Sequence, residues 1–140
     1  MFKIKLDLPP SANARITIMR GARKVTNTST YRAWQLKAVH MIKRQLPAGH
    51  VPWNGSISFT MLHIPADRRA RDLDNMCKAV QDALTRAGLI EDDRHISRLR
   101  VYRLPVDKVN GGHIVVYVQK HVNITLPLFC QENDNDPYSI

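Results

Sequence analysis

The sequence predicts an α+β fold in which a small mixed β-sheet is flanked by two main helices. Strand-like and helix-like segments follow the order β, α, β, α, β, β, which favours helices packed on a sheet. Two segments repeat apolar residues at three- and four-residue steps, whereas the others alternate or form short apolar runs. At 140 residues, 44% hydrophobic and 24% charged, the chain is long enough to bury one core without disulfide or metal staples.

The first strand is FKIKLDL, where Phe2, Ile4, Leu6 and Leu8 face one way and Lys3, Lys5 and Asp7 the other; Pro9 and Pro10 end it. The polar and basic stretch SANARITIMRGARKVTN reads as a long loop or loose hairpin. Residues 29–46 read as a helix capped by Ser29 or Thr30, with Tyr31, Trp34, Ala38, Met41 or Ile42, and Leu46 as its buried stripe and Pro47 as its stop. GSISFTMLHIP supplies a second strand closed by Pro65. In the second helix Leu73, Met76, Cys77, Val80, Leu84 and Ala87 form the stripe, and Gly88 suits the left-handed position after it. HISRLRVYRL and GGHIVVYVQ read as two more strands, and Asn110-Gly111-Gly112 suggests a hairpin between them. Residues 1–120 are expected to form the folded domain and 121–140 a C-terminal extension, its last ten residues flexible.

The formal net charge is +9, and the last ten residues hold three of the twelve acids with no Lys or Arg, so the body is more basic still. Yet Asp72, Asp74, Glu91, Asp92 and Asp93 all fall within residues 72–93. A basic body with one acidic spot favours a nucleic-acid partner over a membrane, since no Lys-rich amphipathic helix or lipidation motif occurs. The two cysteines, Cys77 and Cys130, belong to no C-x-x-C pair, which argues against zinc fingers and a disulfide framework. No secretory leader pattern or apolar run of membrane-spanning length is present, so a reducing cytosol is the expected location. The six histidines show no metal-ligand spacing and are expected to be non-catalytic. Cys77 is expected in the core; Trp34 and Trp53 are expected to pack or anchor an interface, with base stacking an alternative for Trp53.

The densest chemistry lies in RRARDLDNMCK, residues 68–78. In extended chain Asp72 and Asp74 would point to the same side about 6–7 Å apart, whereas in a helix they would be rotated apart by roughly 200°. The stripe begins at Leu73, so the pair sits where extended chain becomes helix, Asp72 projecting like a strand residue and Asp74 capping the first turn. Lys78 and Asp82 follow at four-residue steps on the polar face. On this segment alone, two readings stand: a helix cap with a solvated ion-pair ladder, or carboxylates gathered round a cation. Spacing does not show whether Asp92 and Asp93 return to meet them.

LPPSAN at 8–13, RRARDLDNMCKAVQDALTRAGLIEDD at 68–93 and the basic strand that follows together resemble the RusA family of Holliday-junction resolvases, from about Lys3 to about Gln119. The specific part is the order of an Arg run, Asp-x-Asp-Asn, a Lys three residues beyond that Asn, Asp-Ala-Leu, Gly, and paired Asp. The resemblance implies a RusA-like endonuclease domain over 1–120 that acts as a homodimer on four-way DNA junctions and nicks two strands symmetrically. It implies Mg²⁺ as cofactor, with Mn²⁺ a substitute, and no small-molecule cofactor. By position, Asp72, Asp74 and Asp93 would be the metal-binding, catalytic carboxylates and Lys78 the essential lysine.

Such chemistry needs hard oxygen ligands, because Mg²⁺ prefers carboxylates and water, and it needs relief of the charge on an anionic phosphodiester. Lys78 would supply a compact positive charge there. Arg68, Arg69 and Arg71 would hold flanking phosphates, joined by Lys78, by Arg15, Arg20, Arg23 and Lys24 in the basic loop, and by Asn13. Arg94, Arg98, Arg100 and Arg103 would extend that surface. With about six phosphates touched, log affinity should fall with log salt at a slope near −5. The competing reading is a non-catalytic basic DNA-binding dimer whose acids are caps and ion pairs. Asp-x-Asp phosphatase chemistry is disfavoured, because an Arg run stands where an apolar strand should precede that motif.

Overall fold

The computed structural model describes residues 1–10, 16–18, 25–69 and 71–121. Its central feature is a four-stranded mixed sheet, in the spatial order β1 (Phe2–Asp7), β6 (His113–Lys120), β4 (Ile57–Ile64), β5 (Ile96–Arg103). A separate antiparallel pair, β2 (Ile16–Ile18) and β3 (Val25–Asn27), bears out the loose hairpin. Helices α1 (Ser29–Lys43) and α2 (Leu73–Ala87) pack on each other, α1 also on β1 and α2 on β5. The expected α+β class and mixed sheet are both present.

Each element follows from its residues. In β1 the alternation buries Ile4 and Leu6 and leaves Lys3 and Lys5 in water. Strand β4 is different: Ile57, Phe59, Met61 and His63 are buried on the core face, and Ser58 and Thr60 are buried on the other. A strand without a solvent face takes the centre of a sheet, and β4 pairs antiparallel with β6 and parallel with β5. This corrects the expected hairpin: β6 pairs with β1 and β4, never with β5. The 107–112 segment carries the chain past β4, with the Asp107 carboxylate accepting the backbone N–H groups of Val109 and Asn110, each at 3.0 Å.

The helix ends also have local causes. Thr28, rather than Ser29 or Thr30, caps α1: its backbone is extended and its Oγ1 accepts the Tyr31 N–H at 3.2 Å. The stripe Tyr31, Trp34, Ala38 and Ile42 is buried, as expected, and Gln35 joins it. Helix α2 buries Met76, Cys77, Ala79, Val80, Ala83, Leu84 and Ala87, then ends at Gly88 with φ of 78°. Trp34 packs as expected and donates its indole N–H to the Asp7 carbonyl at 3.1 Å. Trp53 is half-buried against Phe2, 5.0 Å between ring centroids.

Two positions give direct tests of this packing. A Cβ on Gly112 would meet the Leu8 side chain and lie 2.8 Å from the Ala66 backbone nitrogen, so the turn before β6 closes on the chain leaving β4 only because Gly stands there. Gly112→Ala is expected to cost about 1–3 kcal/mol of stability in urea unfolding; an unchanged midpoint would refute the close approach. His63 is 1% exposed, and burial first, then the Arg103 and Arg71 charges, pushes its pKa below 6.5. As pH falls below about 6.5 the unfolded chain therefore binds a proton that the folded chain refuses, so stability is full above that pH and lost below it, by at most about 1.4 kcal/mol per pH unit. Replacing His63 with Leu should flatten the fall in stability between about pH 7.5 and pH 5.5. Parallel slopes for the two proteins would contradict it.

Candidate functional site

The site begins where β4 hands over to α2. Arg71 is still outside the helix, Asp72 has extended backbone (φ −74°, ψ 117°), and Leu73 is the first helical residue. Asp72, not Asp74, therefore holds the cap position, because the cap must lie one residue before helical geometry starts. Its carboxylate makes no capping bond to the helix N–H groups and accepts a long bond, 3.4 Å, from the Asn75 side chain. Asp74 stands exposed in the first turn. Carboxylates are favoured there by the partial positive charge of the helix start.

The second part is the turn after α2. Leu89 and Ile90 are buried, and this stretch is pinned to the 50–53 segment: Trp53 N–H donates to the Leu89 carbonyl at 3.0 Å and Glu91 N–H to the Trp53 carbonyl at 2.9 Å. One 3₁₀ turn, Asp93–His95, follows. Asp92 caps it through the Arg94 N–H at 2.9 Å, and that bond holds the Asp92 carboxyl below the usual carboxylate range. Asp93 is thus the member of the pair left to face α2, where its Oδ2 is bonded to the Lys78 ammonium. Lys78 also pairs with Asp82 at 3.0 Å. The bond to Asp93 first, and then that to Asp82, keeps the Lys78 ammonium well above the ordinary lysine pKa. The Lys78 side chain is 56% exposed, so these pairs add at most about 1 kcal/mol to stability. Beside them opens a cavity of about 360 Å³ that reaches from Lys78 and Asp93 to Arg86 and Gln35.

The crowding of Arg beside Asp has a simple answer here. Arg71 Nη2 lies 3.4 Å from Asp67 Oδ2, and Arg69 N–H donates to Asp67 Oδ1 at 3.0 Å. Asp67, not Asp72 or Asp74, is the acid these arginines share. Sequence reading passed over Asp67, although Asp followed two residues later by a bonded N–H is an ordinary Asx-turn signal. Arg68 and Arg69 are exposed. Arg15, Arg20, Arg23, Lys24 and Asn13 lie outside the described residues.

Of the expected metal-binding set, Asp72 and Asp74 share the helix start, whereas Asp93 meets α2 at Lys78, one turn further along. Among the described residues no three His, Cys, Asp or Glu side chains gather closely enough to share a metal ion. The chemistry of the donors still suits a hard divalent cation: Asp72 is left without a capping bond, and Asp93 keeps Oδ1 outside its bond to Lys78.

A basic α+β domain with carboxylates at a helix start and a lysine–aspartate pair one turn on has the parts of a phosphodiester hydrolase. The family model described as Endodeoxyribonuclease RusA matches residues 7–119. The crossover junction endodeoxyribonuclease RusA of Escherichia coli K12 is 34% identical over 122 residues, covering 87% of this chain and 97% of that protein; the one from E. coli O1:K1 gives the same figures. That of Enterobacteria phage 82 is 46% identical over 61 residues, 44% of this chain and 48% of its own. The chain belongs to the RusA family, whose members are enzymes that hydrolyse phosphodiester bonds within DNA.

Cys77 sits among these groups without sharing their chemistry. It is 4% exposed, and burial, with a smaller push from the Asp74 charge, raises its thiol pKa to about 11. In a Cys130→Ser background, alkylation by iodoacetamide near pH 8 should be at least about tenfold slower folded than in urea, because the thiolate is the nucleophile. Equal rates would place the thiol at the surface.

Proposed function

We propose that the chain is a Mg²⁺-dependent endonuclease that resolves four-way DNA junctions, working as a homodimer that makes paired symmetric nicks. Mn²⁺ would be a substitute. The observation that carries this reading is the Lys78 ammonium held against Asp93 one turn beyond Asp72 and Asp74. Family membership supports the junction as substrate, since the relatives are named for it. Two symmetric cuts require two sites, which supports a dimer. The reaction would take place in the cytosol of a bacterium or phage-infected cell; no helix among the described residues is long and apolar enough to cross a membrane.

Asp72, Asp74 and Asp93 would supply oxygens to the divalent ion, Asp93 through the one that Lys78 leaves open; because the three stand too far apart to share it, binding would have to draw the start of α2 and the acidic turn together. Bound there, the ion would draw charge from a phosphoryl oxygen and make a coordinated water more acidic. Lys78 has a separate part. The bonds to Asp93 and Asp82 raise its pKa and favour the protonated form, which suits a donor rather than a general base. It acts as a fixed positive charge that donates a hydrogen bond to the phosphoryl oxygens as negative charge grows on them. Arg68, Arg69 and Arg71 flank the helix start and hold the strand by its phosphates.

The second reading, a DNA-binding dimer without catalysis, draws on one observation: Asp82, Asp92 and Asp93 already have partners in Lys78 and the Arg94 N–H. A synthetic four-way junction incubated with Mg²⁺, with and without chelator and beside a linear duplex, separates the two. Asp72→Asn and Lys78→Ala should each cut at least about 100-fold more slowly. Junction binding by Asp72→Asn should persist or tighten, because a negative charge near phosphate is gone. Normal cutting by Asp72→Asn would refute the nuclease mechanism.

A further inference from the structure

Three polar side chains at the top of the sheet have no explanation in the core. His63, on β4, is 1% exposed, and neither ring nitrogen has a hydrogen-bond partner among the described residues. Its register partner on β5 is Arg103, so the two side chains stand on the same face as neighbours. Arg103 reaches back over 32 positions and donates Nη2 to the Arg71 carbonyl, just before the start of α2. Among the described residues Arg71 in turn has Nη1 buried without a partner, and its Nη2 lies 3.4 Å from an acid, Asp67. Two guanidinium groups thus press on a neutral imidazole, and both make it harder to protonate. Native proteins rarely leave buried polar atoms idle side by side, here Arg71 Nη1 and the one N–H of a neutral His63, and where they do an absent ion is a standing explanation.

The missing partner is an anion. Like charges have been brought together where the positive end of α2 adds to them. The acids nearby are Asp67, already shared by Arg69 and Arg71, Asp72 at the cap itself, and Asp74 in the first turn of the helix. Asp67 alone cannot balance Arg69, Arg71 and Arg103. A tetrahedral oxyanion offers several acceptors at once, matches the fork of a guanidinium, and can also take an imidazole N–H. Arg103 is exposed and Arg71 half-buried, so the cluster opens to solvent on the guanidinium side.

We propose that Arg71, Arg103 and His63 form a phosphate-binding subsite at the start of α2, which takes a backbone phosphodiester next to the one that is cut. Arg71 and Arg103 touch the phosphate. His63 is a positioning residue behind them, neutral so that it does not add a third charge. Arg71 is covalently joined to Asp72, so a phosphate held here fixes the strand relative to the carboxylates. The DNA ligand rests on the nuclease reading; the phosphate site does not.

The test has two arms, both in the presence of chelator. In the first, the Tm of the full chain is measured in inorganic phosphate against chloride at matched ionic strength. Phosphate at about ten times its dissociation constant should raise the Tm by about 4 °C. Arg103→Gln, Arg71→Gln and His63→Phe should each lose that rise, and Lys43→Gln on α1 should keep it. Arg103 is exposed, so Arg103→Gln serves even if His63→Phe fails to fold. No rise in the wild type, or a full rise in Arg103→Gln, overturns the subsite. In the second, junction affinity is measured against salt. Arg103→Gln should weaken binding about tenfold and reduce the log–log slope by about one. A lost phosphate effect with an unchanged slope would mean a site for free anions and overturns the DNA assignment. Failure of the nuclease reading looks different: the phosphate shift and slope change remain, but the wild type does not cut with Mg²⁺.

Discussion

Strand β4 is buried on both faces, and a strand in that position must have both backbone edges paired as well, because no water reaches them. β6 takes one edge and β5 the other, and β5 runs parallel to β4. Parallel neighbours need a crossover, and α2 is that crossover. The helix therefore starts where β4 ends and finishes near where β5 begins. Asp72 and Asp74 are delivered to one end of it, while the acidic turn approaches from the other. The long stem of Lys78 closes part of the gap, and its ammonium ties the helix to Asp93. The two acidic groups are held by one crossover yet kept a helical turn or more apart.

Charge is sorted around this frame rather than neutralised pair by pair. The Arg run before α2 shares Asp67, and among the described residues Asp72 and Asp74 beside it have no Arg partner. At the other end Asp92 is spent on capping a turn and Asp93 on holding Lys78. Mutual repulsion among carboxylates is limited by distance and by cations between them, while the arginines keep most of their charge for something else. An anionic strand lying across the start of α2 would meet cations first and carboxylates next, the arrangement a phosphodiester-cutting enzyme requires. His63 and Arg103 belong to the same sorting, because strand register sets a buried imidazole beside a guanidinium.

Much of this was legible in the chain. The stripe from Leu73 to Ala87 and Gly88 beyond it defined α2, since a 3.6-residue period and a left-handed glycine are local properties. The alternation of β1 and the apolar run of β4 did the same for two strands. The family was legible too, because the order Arg run, Asp-x-Asp-Asn, Lys and paired Asp is carried by residues 68–93 alone. Errors came where a local cue was ambiguous by one step or where pairing was long-range. Thr28 rather than Ser29 or Thr30 capped α1, and Asn110-Gly111-Gly112 turned out to serve a connection over β4 instead of a hairpin.

The sequence by itself determined which segments coil and which extend, where the charges lie along the chain, and to which enzyme family it belongs. Period, capping chemistry and motif order act over a few residues and survive in one dimension. Only the tertiary structure decided that β4 separates β5 from β6, that Asp93 rather than Asp92 meets Lys78, and that His63, Arg71 and Arg103 share one corner. Those outcomes depend on which strand is buried on both faces and on the register it imposes on its neighbours. That competition is settled among surfaces far apart in the chain, and no short stretch of residues encodes it.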